Sequence, residues 1–138
     1  MQRRDTFRLP IPHAFASDCF IDTPRGIEAI IALADVSLGG VGLIGFSADI
    51  ELQTGMTLKG CRIELRHVGA IHCTLNIGQQ TEIILPNGIR TIRTGCQFSQ
   101  LSVHSEQLLQ RFIFMLEHAS LTQSAYGNST SPSTKQRV

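Results

Sequence analysis

The segment Cys61-Arg62-Ile63-Glu64-Leu65-Arg66 alternates apolar and charged residues without a break. In an extended chain successive side chains point to opposite faces, so Cys61, Ile63 and Leu65 share one face and Arg62, Glu64 and Arg66 the other. A helix would scatter the two sets around its circumference. The segment is therefore a strand with one dry and one wet face, which is the pattern of an antiparallel sheet. Beyond Gly69 the same parity returns in Ile71, Cys73, Leu75 and Ile77 against His72, Thr74 and Asn76, and Pro86-Asn87-Gly88 supplies a hairpin turn.

Between Ala14 and Phe98 the pattern changes every eight to twelve residues, with Gly, Pro, Asn or Asp at the breaks. Further strands are expected over 15–21, 27–33, 41–46 and 89–98. The stretch 27–33 has helical propensity, but its short length and Gly-rich exit favour a strand. Six short strands leave open edges unless the sheet closes on itself, so the expected fold is all-β, a six-stranded antiparallel β-barrel. After Phe98 the period changes. Leu101, Leu108, Leu109, Phe112, Ile113 and Leu116 follow three-to-four spacing behind Ser102, a candidate N-cap, with Glu106 near the positive end. A C-terminal amphipathic α-helix is expected to cover the barrel.

The ends differ from this middle. Residues 1–12 hold Arg3, Arg4 and Arg8, and Leu9-Pro10-Ile11-Pro12 forbids a helix, so they read as an extended basic arm or linker with few apolar anchors. Residues 13–119 are the barrel and helix. Residues 120–138 are mostly Ser, Thr, Gln, Asn, Gly, Pro and charge, and are expected to form a disordered tail. A chain that opens directly on a basic arm is expected to be the trailing part of a longer protein.

The 138 residues suffice for one compact domain, and 42% hydrophobic with 17% charged residues is an ordinary globular composition. Twelve basic against eleven acidic side chains give a formal charge of +1, so any anion site must be local. No apolar run is long enough to cross a bilayer as a helix and no signal-peptide core follows Met1-Gln2-Arg3-Arg4, so the cytoplasm is the expected compartment. Cys19, Cys61, Cys73 and Cys96 are widely spaced and read as buried small hydrophobes. His67, His72 and Cys73 could suggest zinc, but strand neighbours face opposite ways, and no metal site or cofactor is expected. The five histidines are dispersed and no G-x-S-x-G, H-E-x-x-H or P-loop pattern occurs, so no catalytic residues are assigned.

Two segments carry chemistry. Arg4-Asp5-Thr6-Phe7-Arg8 is an R-x-x-x-R spacing with Arg3 beside it. In an extended chain its two arginines project to one side roughly 13 Å apart, as two clamps on one elongated anion. Guanidinium groups grip phosphate and the guanine O6/N7 edge, and stack on bases. Asp35-Val36-Ser37-Leu38-Gly39-Gly40 is a D-x-S-x-x-G turn between two expected strands. Its carboxylate can accept from guanine N1–H and N2–H₂, its serine can bond a phosphate or base, and its glycines admit a close backbone approach. A solubilising terminus and an ordinary Ser or Asx turn would account for each segment separately.

Together, Arg4/Arg8 with Asp35/Ser37/Gly40 and a short-stranded barrel resemble the PilZ domain family over about residues 2 to 118. The stretches Gln2 to Arg8, Ser37 to Leu43, Gly95-Cys96-Gln97-Phe98 and Leu108 to Ile113 are similar to the C-terminal half of YcgR-type flagellar brake proteins. The resemblance implies a receptor for cyclic di-GMP that controls bacterial motility through ligand-induced ordering of its arm, and no enzyme. It implies that Arg3, Arg4 and Arg8 grip phosphates and guanines, that Asp35 and Ser37 hold a guanine, and that Gly39 and Gly40 shape the turn. Arg3 precedes the first motif arginine, which favours two ligand molecules. Flagellar motor switch or stator proteins are the implied partners and the flagellar basal body the implied location. Other readings are a regulator of exopolysaccharide export, a protein-binding module, or a single-stranded nucleic-acid-binding barrel; near-zero charge and the lack of Trp argue against the last.

Overall fold

The computed structural model describes residues 8–22, 26, 28–45 and 53–127, with 120–127 as backbone alone. Among the described residues there are seven strands: β1 (Leu9–Pro10), β2 (Asp18–Asp22), β3 (Glu28–Val36), β4 (Gly40–Ile44), β5 (Thr57–Leu65), β6 (Gly69–Ile84) and β7 (Arg90–Phe98). Their pairing runs β3-β2-β5-β6-β7-β4 and returns to β3, every pair antiparallel, so six strands close a barrel. The expected all-β architecture is the observed one. β1 is an addition to it. Leu9 pairs with Val36 and Pro10 with Asp35, where β3 runs on past its pairing with β2.

The alternation that defines β5 and β6 has its expected effect. Cys61, Ile63, Ile71 and Leu75 are fully buried, and His72 stands exposed on the outer face. All four cysteines are buried free thiols. The stretch 28–33 is strand throughout, but 15–21 is only partly so, because His13–Phe15 forms a 3-10 turn and β2 starts at Asp18. Gly88, at φ 87, completes the hairpin turn after Pro86, and the Asn87 side chain accepts from the Ile89 N–H.

β7 runs with β4 only as far as Arg93 opposite Ile44, and β6 with β5 only as far as Asn76 opposite Thr57. The end of the β6–β7 hairpin thus extends past both neighbouring strands, with Ile84, Ile89 and Ile92 exposed.

The helix α1 (Val103–Gly127) starts where the sequence places it: the Ser105 N–H donates to the Ser102 hydroxyl, and the Glu106 N–H to the Ser102 carbonyl. Its apolar face packs against β6 and β1, burying Leu109, Phe112, Ile113 and Leu116. Phe112 meets Phe15 edge-on at 6.2 Å. Two boundaries differ from expectation. α1 runs to Gly127, into the segment read as a disordered tail, since Ala119, Leu121, Gln123 and Ala125 favour helix when a packed helix already leads into them. The arm is fixed to the barrel from Leu9 onward: Leu9 and Ile11 pack on the core, and the Ile11 N–H donates to the Ala34 carbonyl. Residues 1–7, 128–138 and the middle of the β4–β5 connection lie outside the described residues.

Candidate ligand-binding site

The site is built on one irregularity of β3. Ile31 and Leu33 face inward, and simple alternation would send Asp35 inward after them. A bulge between Leu33 and Asp35 shifts the register by one, so that Val36 is the next buried residue and Asp35 turns outward opposite Gly42. The extra residue thereby converts an interior position into a surface carboxylate at the wall of the barrel.

Among the described residues, two cations meet Asp35 there. Arg93 of β7 donates from Nε to Oδ2 at 2.8 Å and from Nη2 to Oδ1 at 2.7 Å, a bidentate pair. Arg8, placed by the pairing of β1 with β3, donates from Nη1 to Oδ1 at 3.4 Å. The side chains are 16% exposed for Asp35 and 26% for each arginine, so solvent screens the cluster only partly. Bonding to Asp35 raises the Arg93 pKa further above its ordinary value, and the guanidinium is a permanent charge. Two cations on one carboxylate leave local positive charge for an anion, while the carboxylate offers an acceptor beside it.

The turn that follows is held by Ser37. Its hydroxyl accepts the N–H groups of Gly39 and Gly40, each at 3.2 Å, its own N–H donates to the Gly40 carbonyl, and the residue is 1% exposed. The serine therefore fixes the loop from within it. The Gly39 carbonyl accepts from the Phe98 N–H, tying the turn to β7. Gly40 has no room for a side chain: a Cβ would run into the Cys96 carbonyl oxygen and lie 3.1 Å from Arg8 Nη2.

Of the expected site residues, Arg8, Asp35, Ser37, Gly39 and Gly40 are brought to one corner of the barrel, and Arg3 and Arg4 lie outside the described residues. Arg93 is the member that sequence reasoning missed. Nothing in the spacing along the chain marks it, because the carboxylate it meets lies 58 positions away.

The described residues form a closed antiparallel barrel with a capping helix, in which Arg8 meets the D-x-S-x-x-G corner. The chain belongs to the PilZ domain family, whose model matches residues 2–115. It is 35% identical over 122 residues to the flagellar brake protein YcgR of Thiobacillus denitrificans, covering 86% of this chain and 48% of that protein. The Methylotenera mobilis YcgR is 32% identical, with 88% and 51% covered. The chain thus spans about half the length of the curated relatives it matches. Among solved structures, the PilZ domain of Escherichia coli YcgR with c-di-GMP superposes with a TM-score of 0.74 at 29% identity, covering 90% of this chain and 98% of that one.

Proposed function

We propose that the chain is a cyclic di-GMP receptor domain of the flagellar-brake type. The observation that carries this reading is the meeting of Arg8 and Asp35 at 3.4 Å, which joins the R-x-x-x-R and D-x-S-x-x-G segments into one cationic and acidic corner. The E. coli YcgR PilZ domain, solved with c-di-GMP, supplies the ligand by likeness. Cyclic di-GMP has two phosphates for the arginines and two guanines for an acceptor such as Asp35.

The long contact of Arg8 to Asp35 is the one that exchanges. A guanine edge competes for Asp35, Arg8 turns to a phosphate or base, and the bidentate Arg93 keeps the carboxylate in place. Arg3 and Arg4 add further grips, and two ligand molecules stacked together fit the number of arginines. Ser37, Gly39 and Gly40 act by shaping the turn. Since Leu9–Pro10 is already paired, ligand-driven ordering falls on residues ahead of Arg8. The output is motility control through flagellar motor switch or stator components, from the cytoplasmic side of the basal body. The domain works by binding, without chemistry on the ligand.

Titration calorimetry with cyclic di-GMP tests the reading and gives the stoichiometry. Arg8→Ala and Asp35→Ala should each weaken binding more than about tenfold, as expected for loss of a charge-assisted contact. Unchanged affinity in both variants, or a folded wild-type domain that takes no ligand, overturns it.

A further inference from the structure

Gly42 sits in the middle of β4, opposite Asp35 on β3 and Gly95 on β7, and the ion pair from Asp35 to Arg93, two residues along β7, crosses over it. A Cβ on Gly42 would lie 2.5 Å from Arg93 Nη2, 2.5 Å from Asp35 Oδ1 and 2.7 Å from Arg93 Nε. It would strike both partners at the atoms that bond each other. Backbone conformation does not explain this glycine. It is absent from the glycines with positive φ, whereas Gly55, Gly60 and Gly88, which have positive φ, meet nothing within 4 Å where a Cβ would stand. Glycine in a strand interior is unfavourable relative to alanine, so its presence here calls for a close approach. The approach is that of the Asp35–Arg93 pair.

We propose that Gly42 is a positioning residue for the ligand site: its bare Cα lets the Asp35 carboxylate and the Arg93 guanidinium meet over β4, beside Arg8. This rests on the cyclic di-GMP reading above for the identity of the ligand. Gly42 itself does not bond the ligand. It sets the height and direction of the acceptor that does.

The test compares wild type, Gly42→Ala, Arg93→Ala and the double variant, using two readouts. The first is the NMR signal of the Arg93 Nε–H, which a bidentate pair protects from exchange. The second is calorimetry with cyclic di-GMP. The proposal expects Gly42→Ala to lose the protected signal and to weaken binding about tenfold or more. It expects the double variant to bind no worse than Arg93→Ala alone, since the two act through the same pair. A general effect on the barrel would not produce that saturation. A retained signal, wild-type affinity in Gly42→Ala, or additive losses in the double variant overturns the proposal. If Gly42→Ala fails to fold while the double variant folds, the crowding is confirmed at the guanidinium; if neither folds, glycine serves the barrel and the proposal falls. Should the folded wild type take no cyclic di-GMP, the ligand reading fails, and the Nε–H signal still decides whether Gly42 positions the pair.

Discussion

At the scale of single residues, the barrel interior holds one group at odds with its surroundings. Among the described residues the Thr94 hydroxyl is buried with no hydrogen-bond partner, on an inward position of β7 opposite Leu43. Taking a hydroxyl out of water without replacing its bonds is unfavourable, and valine has nearly the same shape. Thr94→Val should raise unfolding stability by about 1 kcal/mol, read from the midpoint of a urea titration with an unchanged slope. A loss of stability would show that the hydroxyl has a partner in solution. Arg93, one residue earlier and on the outer face, is in the opposite situation: two well-aligned bonds to one carboxylate make a charged residue part of a defined structure. In the sequence it was indistinguishable from Arg62 or Arg66, which also alternate with apolar neighbours, because its partner lies 58 positions away. Spacing along the chain reveals which face a side chain occupies, and says nothing of what waits there from another strand.

The elements show the same division. β5, β6 and α1 were legible because each buries one face along a regular run, Cys61 to Leu65, Ile71 to Ile77 and Leu109 to Leu116, and Ser102 fulfils its cap. Removing that cap by Ser102→Ala should cost about 1 kcal/mol, seen as a lower denaturation midpoint, while a solvent-facing change such as Val103→Ala on the same turn should have little effect. Two features that assemble the site were not legible. β1 has only two residues, one of them proline, and carries no periodicity of its own; it exists because β3 extends past β2 and leaves a free edge. The bulge in β3 is equally silent, since Ile31, Leu33 and Asp35 continue a regular alternation whose last member merely looks misplaced. The D-x-S-x-x-G motif was thus found as a string, but the reason its aspartate faces outward lies in a register shift. The opposite holds for Ser37, where the motif was clear and the side chain turned out to serve the loop.

For the molecule as a whole, burying thiols couples folding to pH. Burial pushes Cys73 and Cys96 up to about 12, and the hydrogen bond with Cys61, followed by burial, raises Cys19 as well. An unfolded thiol ionises near 9.0, so between that pH and about 12 the native state binds more protons than the unfolded one. Stability is therefore fully present below pH 9 and falls as pH rises, by up to about 1.4 kcal/mol per pH unit for each such thiol. Urea titrations at pH 8 and pH 10 should show a clear drop, and a flat profile would mean that the thiols reach solvent before the barrel opens. The Asp35–Arg93 pair operates at this scale too. It straps β3 to β7 over the seam made by β4, the place where the two ends of the sheet meet. Neither a collapsed chain nor an open sheet brings those residues together, so under the proposed function ligand capture becomes a census of shut barrels, and a preparation's binding fraction a measure of how much of it has finished folding.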